Sequence, residues 1–289
     1  MFELIERCHS LPVQGVFPCA LTPKQDFKKM SVYAAGIDIG SAFSKGVIFK
    51  NKQTLGFCII PSGGDYKATA EKIKKELLSK TGLSSPEPIF TVATGLGAKM
   101  VGFADVIRTE FSCHAKGIIT IFPSVRTVVD IGDSYSRAFR TDEHGHLLKF
   151  LLSGKCAGGS AQILKKIAKI LQVKVEELGP LSLRSQKQVD FNTNCAVFAE
   201  SEAVSRIAEG ASKEDLLAGI HRALAAQINN LAERVGIEKD YALVGGGAKD
   251  EGLVKAVELM NGFNLMVPPE PLLTAALGAA ILAEEVAPA

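Results

Sequence analysis

The sequence predicts an α/β fold built from two similar halves, and three observations support this prediction. A short apolar run that ends in Asp38-Ile-Gly40 recurs as a run that ends in Asp130-Ile-Gly132. Both runs have the length and the β-branched content of a buried strand. A third apolar run, Tyr241–Val244, leads into the glycines Gly245–Gly247. Alternating strands, turns and helices of this kind are typical of α/β proteins.

The surroundings of the two Asp-Ile-Gly triplets repeat as well. After the first triplet, Lys45–Lys50 and Leu55–Ile60 flank the polar residues Asn51–Gln53, which predicts a hairpin. A helix is then predicted over Ala68–Ser79, where apolar residues recur at helical spacing. The corresponding elements after the second triplet are a hairpin over Arg137–Arg140 and Leu147–Leu152 and a helix over Gln162–Gln172.

Composition narrows the class of protein. The 289 residues are 47% hydrophobic and 22% charged, which excludes a disordered chain. A net charge of +2 argues against a nucleic-acid partner. The apolar stretches are shorter than a membrane span, and the first ten residues lack the pattern of a signal peptide. These features predict a cytoplasmic protein with no membrane partner.

The duplication divides the chain into four expected segments. They are a leader over residues 1–30, a first half over 31–122, a second half over 123–273, and a C-terminal helix over 274–289 that packs back on the first half. For the leader, three interpretations stay open: an upstream start that precedes a true start at Met30, an extension that docks a partner, or a disordered tail.

The two Asp-x-Gly turns predict a phosphate site. Turns at strand ends present backbone N–H groups at the carboxyl edge of a sheet, and two facing turns can hold a polyphosphate from both sides. Asp38 and Asp130 are the predicted catalytic residues, because such carboxylates hold Mg²⁺ through waters and orient an attacking water. The predicted ligand-binding residues are Gly40, Ser41, Lys45, Gly132, Asp133, Gly245, Gly246 and Gly247.

Plainer interpretations of these residues remain open. The aspartates could be ordinary turn residues, the glycines a simple strand-to-helix turn, and Lys45 a solvated lysine on a strand.

This layout resembles the superfamily of actin, the 70-kDa heat-shock proteins and the sugar kinases. The resemblance implies duplicated ribonuclease-H-like halves that close over ATP. It makes Asp38–Lys45 the first phosphate motif, Asp130–Asp133 the second, and Val244–Ala248 the adenosine motif.

Two segments that contain cysteine, Lys155–Gly159 and Asn194–Glu202, resemble a narrower family. It comprises the ATP-dependent activators of 2-hydroxyacyl-CoA dehydratases and the ATPase subunits of benzoyl-CoA reductase. The resemblance implies a dimer with one [4Fe–4S] cluster on its two-fold axis, to which each subunit supplies two thiolates, here Cys156 and Cys195. It further implies ATP, Mg²⁺ and a low-potential electron that passes to cluster-containing reductase or dehydratase subunits.

The positions of the two cysteines are compatible with this role. Each precedes a predicted helix, and a helix N-terminus favours a thiolate. Two cysteines cannot complete a four-thiolate site, so a real cluster would be shared between chains. The alternative is that both are buried structural cysteines, as is expected for Cys58 and Cys113; His114 and His221 are likewise expected to be structural.

The second phosphate motif departs from the family pattern. Dehydratase activators continue with Gly-Gln-Asp after Asp-Ile-Gly, whereas this chain has Asp133–Ser136, which puts hydrolysis by this chain alone in question. The following segment, Arg137–Gly145, looks most like the delta-type subunit of benzoyl-CoA reductases. The sequence therefore predicts an electron-transfer ATPase subunit of the benzoyl-CoA reductase type that pairs with a paralogous ATPase subunit. The alternatives are an activator of a 2-hydroxyacyl-CoA dehydratase, a small-molecule kinase, or a nucleotide-binding scaffold of the same fold.

Overall fold

The computed structural model describes residues 32–83, 89–154, 160–187, 189–191 and 196–288, without the side chains of Ala196 and Val197. The predicted leader and the predicted cluster ligands Cys156 and Cys195 lie outside the described residues. The strands are β1 (Tyr33–Ile39), β2 (Phe43–Lys50), β3 (Gln53–Pro61), β4 (Ile89–Thr94), β5 (Val106–Ile107), β6 (Thr127–Ile131), β7 (Ser136–Thr141), β8 (Leu147–Leu152) and β9 (Tyr241–Val244). The helices are α1 (Tyr66–Thr81), α2 (Glu110–Ile121), α3 (Gln162–Leu171), α4 (Leu178–Ser182), α5 (Ala196–Ala208), α6 (Lys213–Val235), α7 (Glu251–Asn261) and α8 (Thr274–Val286).

The strands form two sheets with equivalent centres. The first sheet has the order β3-β2-β1-β4-β5 and the second has the order β8-β7-β6-β9. In the first sheet, β1 pairs antiparallel with β2 and parallel with β4. In the second sheet, β6 pairs antiparallel with β7 and parallel with β9. Both β4 and β9 follow a helix in the chain. The register is also the same, since Asp38 lies opposite Lys45 and Asp130 lies opposite Arg137. The predicted α/β fold with repeated strand-and-hairpin units is confirmed.

Local sequence explains where the first hairpin and the first helix begin and end. Asn51 and Lys52 both have positive φ, which matches the twist of a two-residue hairpin turn between β2 and β3. Asp65 caps α1, because its Oδ1 accepts a hydrogen bond from Ala68 N at 2.9 Å. The helix ends at Gly82, whose left-handed backbone is the usual stop signal.

Helices cover both faces of the first sheet. On one face, Ile37 and Ile39 of β1 pack with Ile73 and Leu77 of α1. On the other face, β1 packs against α8 so closely that a Cβ on Gly36 would lie 2.0 Å from Ala276 O. Helix α8, which comes after β9 in the chain, therefore covers a sheet whose strands lie near the beginning of the chain.

Helix α2 contacts the cores of both sheets. Its Cys113 packs with the α8 side of the first sheet, whereas Ile118 packs with Val128 and Val244 of the second. The larger core of the second sheet contains side chains of α3, α4, α5, α6 and α7. Among the described residues, no helix combines the length and the apolar composition that a membrane span needs.

The crossing of α2 and α8 leaves no room for side chains. A Cβ on Gly278 would lie 1.8 Å from Cys113 O, and a Cβ on Gly117 would lie 2.0 Å from Thr274 O. Both obstructing atoms are backbone carbonyls, so a side-chain rotation cannot relieve the clash.

We expect Gly278→Ala to lower the free energy of unfolding by about 3 kcal/mol or more, because overpacking at a backbone contact forces the two helices apart. Urea unfolding measures this change. Gly64→Ala is the matched control, since no atom lies within 4 Å of its Cβ position. Equal unfolding free energies for the two variants would contradict the close crossing.

Candidate functional site

A cavity of about 830 Å³ opens where the turns after β1, β6 and β9 meet. Asp38 and Asp130 line it, together with the predicted ligand-binding residues Gly40, Ser41, Lys45, Gly132, Asp133, Gly245 and Gly246. The remaining predicted residue, Gly247, is not among the residues that line the cavity, and it packs against Ile131, whose Cγ2 would lie 2.4 Å from a Cβ at this position. The structure thus brings the three predicted turns to one place.

Each catalytic candidate lies beneath a glycine turn of the neighbouring parallel strand. Gly245 has φ +83°, and a Cβ there would lie 2.1 Å from Asp130 Oδ1. Gly95 has φ +90°, and a Cβ there would lie 2.4 Å from Asp38 Oδ1. The duplication therefore includes the turn after β4, which sequence reasoning did not connect with the turn after β9.

Asp38 and Lys45 form a buried ion pair. Lys45 Nζ donates to Asp38 Oδ2 at 2.7 Å, and Lys45 is only 9% exposed. Lys45 is therefore not a solvated strand lysine. Its ammonium lies 3.2 Å from the position that a Cβ on Gly40 would occupy, so the positive charge lies directly under the first turn.

The other carboxylate oxygen of Asp38 is unsatisfied. Asp38 Oδ1 is buried and has no hydrogen-bond partner. A buried oxygen without a partner is costly unless a ligand, ion or water completes it. This atom suits a hydrated Mg²⁺, which binds through one or two carboxylates and the phosphates of its substrate. The described residues contain no group of three or more His, Cys, Asp or Glu side chains that could hold a metal ion.

The second ion pair, Asp130–Arg137, belongs to a larger network. Arg137 Nη1 donates to Asp130 Oδ2, and Arg137 Nη2 donates to Glu110 Oε1. His114 Nδ1 lies 2.8 Å from Thr274 Oγ1, and His114 Nε2 lies 3.6 Å from Asp130 Oδ2. The network joins α2 and α8 to the second sheet.

Burial and charge oppose each other within this network. Burial alone would raise the pKa of Asp130, but the charges of His114, Arg137 and Lys45 outweigh it and lower the pKa. Burial also lowers the pKa of His114, against the attraction of Asp130. Arg137 lowers the pKa of Asp130 by its hydrogen bond as well as by its charge.

Sequence reasoning missed Glu110 and Arg137 and treated His114 as structural. Burial raises the pKa of Glu110, although the charge of Arg137 opposes this shift. Glu110 and His114 lie one turn apart on α2, and both line the cavity. The detectable signal was the cap residue Thr109 followed by acidic and imidazole side chains at i, i+4 spacing.

The second turn is connected to α3. Lys165 Nζ donates to Asp133 Oδ1 at 2.5 Å, and Ala161 N donates to Gly132 O at 2.9 Å. Tyr135 stacks under the guanidinium of Arg137, with 4.7 Å between Cζ and the ring centroid. Asp133 and Tyr135 therefore have defined contacts in a turn that departs from the family pattern.

The remaining wall of the cavity is formed by the segment around α4 and by two later segments of the chain. It includes Gly179 and Pro180 of α4, and Val175 just before them. The later segments are Lys249–Glu251, which is charged, and Val267–Leu272, which contains three prolines. Glycine and proline surfaces of this kind suit the flat, mostly apolar part of a ligand.

We expect Arg137→Met to lower the free energy of unfolding by about 3–5 kcal/mol, because it leaves the buried carboxylate of Asp130 and the partly buried carboxylate of Glu110 without their cation. Urea unfolding at neutral pH measures this loss. The loss should shrink as the pH falls into the range where Asp130 becomes protonated, which lies higher in the variant than in the wild type, where the charge of Arg137 keeps the pKa of Asp130 low. Lys165→Met is the control, because its pair with Asp133 is half-exposed and contributes under about 1 kcal/mol. Equal losses in the two variants would contradict the buried network.

Solved structures confirm the fold. The activator of the 2-hydroxyisocaproyl-CoA dehydratase from Clostridium difficile, determined with bound ADPNP, superimposes with a TM-score of 0.82 at 38% identity and covers 88% of this chain and 95% of its own. A ROK family glucokinase from Streptomyces griseus superimposes with a TM-score of 0.55 at 12% identity, covering 88% of this chain and 99% of its own, which shows the fold alone. The chain therefore has the predicted fold of the actin, heat-shock ATPase and sugar-kinase superfamily.

Whole-chain similarity favours the alternative subtype, the dehydratase activators, over the predicted reductase subtype. A 2-hydroxyisocaproyl-CoA dehydratase activator from Clostridioides difficile is 40% identical over 252 residues, which is 87% of this chain and 95% of that protein. A benzoyl-CoA reductase subunit from Thauera aromatica is 31% identical over 229 residues, which is 77% and 81% of the two chains. The preference for the reductase subtype rested on the short segment Arg137–Gly145, and the comparisons favour the dehydratase activators instead.

The family itself is established over nearly the whole described structure. The sequence pattern of one ATPase family matches residues 35–283, which include both sheets and most of α8. The activating ATPase of (R)-2-hydroxyglutaryl-CoA dehydratase from Acidaminococcus fermentans is 39% identical over 88% of this chain and 98% of its own. The chain belongs to the BadF/BadG/BcrA/BcrD ATPase family.

Proposed function

We propose that this protein is the ATP-dependent activator of a 2-hydroxyacyl-CoA dehydratase. It hydrolyses ATP and passes a low-potential electron to the dehydratase component. The observation that carries the proposal is the cavity with two equivalent ion-paired aspartates, in a chain 40% and 39% identical to dehydratase activators. A second candidate, an ATPase subunit of a benzoyl-CoA reductase, is supported by the weaker similarity to the reductase protein of Thauera aromatica.

The turns at Gly40 and Gly132 bind the phosphates. Backbone N–H groups at strand ends and the ammonium of Lys45 beneath the first turn favour negative charge there. Asp38 would hold a hydrated Mg²⁺, because its Oδ1 has no partner whereas its other oxygen is already occupied by Lys45. When bound, Mg²⁺ neutralises charge that develops on the transferred phosphoryl group.

Carboxylates at the cavity position the attacking water. Asp130 is fixed by Arg137 and stays ionised, so it accepts hydrogen bonds from water. Glu110, whose pKa is raised by burial, is a stronger base than an exposed glutamate and suits proton abstraction. His114 orients Asp130: its Nε2–H faces Oδ2, and its Nδ1 accepts from the hydroxyl of Thr274.

Cys156 and Cys195 supply two of the four thiolates of a [4Fe–4S] cluster that two subunits share. A bound cluster stores and donates one electron at low potential. The described neighbours of these cysteines support the proposal, because α5 begins at Ala196, directly after Cys195 in sequence. Helix α3 pairs with α5 through Lys166 and Glu200, and it pairs with the second phosphate turn through Lys165 and Asp133. The nucleotide cavity and the helix after Cys195 therefore share α3.

The second subunit of this assembly is proposed to be a paralogous ATPase subunit. The support is the second phosphate turn, where Asp133 is engaged with Lys165 rather than free for the nucleotide. A purified chain that forms a cluster-bearing dimer by itself, with normal ATPase activity, would overturn this part of the proposal.

Reconstitution tests the proposed activity. Mixed under anaerobic conditions with a 2-hydroxyacyl-CoA dehydratase component, a reductant and MgATP, the protein and any partner subunit are expected to start dehydration. Asp38→Asn should reduce ATP hydrolysis and activation by about 10²-fold or more, because it removes the charge that holds the metal. If the Asp38→Asn protein still binds ADP, its loss of activity is not caused by unfolding.

Glu143→Gln is the matched control for that experiment, since Glu143 is an exposed carboxylate in the turn between β7 and β8. Glu143→Gln should leave the rates of ATP hydrolysis and of dehydratase activation unchanged. Activation of benzoyl-CoA reductase components alone would favour the second candidate. ATP-dependent phosphorylation of a small molecule would favour a kinase, and nucleotide binding without turnover beside the proper partner would favour a scaffold.

The cluster is tested by iron and sulfide analysis after anaerobic purification. We expect Cys156→Ala and Cys195→Ala each to abolish the bound iron and the associated visible absorption. Cys58→Ala is the control, because Cys58 is buried in β3 and burial raises the pKa of its thiol to about 11, which keeps it protonated. Iron-free wild-type protein, or equal iron in all variants, would rule out the proposed ligands.

A further inference from the structure

A buried group of polar side chains lies behind the α4 wall of the cavity. It consists of Ser182 at the end of α4, His221 in the middle of α6, and Asp250 immediately before α7; we call it the His221 group. His221 Nδ1 lies 2.8 Å from Ser182 Oγ, and His221 Nε2 lies 3.2 Å from Asp250 Oδ2. His221 is only 1% exposed, so its position is set by these two neighbours.

The hydrogen-bond roles within the His221 group follow from the carboxylate. An ionised Asp250 can only accept, so Nε2 of His221 must carry the hydrogen that faces it. With its hydrogen on Nε2, the ring can accept a hydrogen bond at Nδ1 from the hydroxyl of Ser182. The Nε2–H tautomer of His221 therefore suits both neighbours.

Backbone packing fixes the spacing of this group. A Cβ on Gly252 would lie 2.7 Å from His221 Nδ1 and 2.9 Å from Ser182 Oγ. A Cβ on Gly179 would lie 2.9 Å from Asp250 Oδ1. The glycines let α4, α6 and α7 approach until the three polar side chains meet, and no space remains for a substrate among them.

The three side chains are not a catalytic triad. Ser182 is 7% exposed and does not line the cavity, so its hydroxyl cannot reach a bound ligand as a nucleophile. Asp250 lines the cavity, but its Oδ1 caps α7 by accepting from Leu253 N at 3.0 Å. The contacts of the His221 group therefore position helices and do not act on a bound ligand.

Two elements that His221 contacts form a wall of the cavity. Helix α4 presents Gly179 and Pro180 to the cavity, and the start of α7 presents Asp250 and Glu251. His221 bonds to the end of α4 and faces the cap of α7, so it determines how far apart these two surfaces lie.

One bond in this arrangement is incomplete. His221 Nε2 and Asp250 Oδ2 are buried and close, yet neither has an aligned hydrogen-bond partner. A small shift of the α7 cap would align the pair and recover the cost of two unsatisfied buried atoms. Such a shift would narrow or widen the space beside Gly179.

We propose that His221 is a positioning residue for the nucleoside part of the nucleotide: it holds α4 and the start of α7 together as one wall of the cavity, the base binds against this wall, and the bond of His221 to Asp250 is completed when the base is bound. The inference rests on the proposed function, since it takes the occupant of the cavity to be ATP. By this inference, the buried side chains of the His221 group contribute to the affinity for the base, whereas the phosphate turns contribute to the affinity for the phosphates.

Two ligands distinguish the base wall from the phosphate turns. MgATP uses both, whereas magnesium tripolyphosphate carries phosphates without a nucleoside. For His221→Leu we expect the Kd for MgATP to rise about tenfold, the effect of losing a buried hydrogen bond to a charged group. The Kd for tripolyphosphate should stay unchanged, and kcat at saturating ATP should stay within about twofold while KM rises, because the phosphate turns are intact.

Three further variants complete the test. His221→Gln places an amide near the position of Nε2 and should recover part of the affinity for MgATP. Ser182→Ala removes one hydroxyl and should raise the Kd for MgATP about fivefold, which keeps the test valid if His221→Leu does not fold. His144→Leu, an exposed histidine in the turn between β7 and β8, should change neither Kd.

The outcomes separate this inference from the proposed function. If the His221→Leu protein binds MgATP more weakly but binds tripolyphosphate as the wild type does, the role of His221 is supported. Equal weakening of MgATP and tripolyphosphate, or no change for either, overturns it. If the wild-type protein binds tripolyphosphate but not MgATP, or binds neither, the proposed function itself fails.

Discussion

Two buried ion pairs, Asp38–Lys45 and Asp130–Arg137, determine how this structure can work. Each joins the first two strands of a sheet at directly opposed residues, and each holds a carboxylate at the edge of the cavity. Buried ion pairs contribute little net stability, since desolvation offsets the attraction, but removal of one partner is costly. Their effect here is positional, because neither carboxylate can move without leaving a charge unpaired in the interior.

The two pairs are equivalent in position and different in chemistry. Lysine satisfies one oxygen of Asp38 and leaves the other without a partner. Arginine has more donors, so Arg137 engages Asp130 and also reaches Glu110 on α2. One half of the cavity therefore offers an open ligand position, whereas the other forms a closed network that links the sheets through α2. The two equivalent backbone positions thus differ in their side-chain contacts because one carries lysine and the other arginine.

The sequence predicts the parts of this structure that are local. Strands, hairpins and turns around Asp38 and Asp130 repeat within short windows, so their periodicity shows them directly. Glu110 and His114 were missed as site residues because they reach the cavity only through the packing of α2 between two sheets. Gly247 was assigned to the ligand because three successive glycines look alike in sequence, although only packing against Ile131 shows which way the third one faces. The reductase subtype is less well supported than the dehydratase activators, because it rested on a short segment, whereas the whole chain is more similar to the activators. Cys156 and Cys195 remain predictions from family resemblance.

The position of α8 in the chain has a consequence for biosynthesis. This helix covers one face of the sheet formed by β1, β2 and β4, and it supplies the partner that α2 meets at Gly117. A ribosome makes these strands long before it makes residues 274–286. Until then, one face of the first sheet has no native cover, and the emerging chain presents its apolar strands to water and to chaperones. The first sheet therefore reaches its native core only after the second has been synthesised, so folding cannot proceed half by half from the N-terminus.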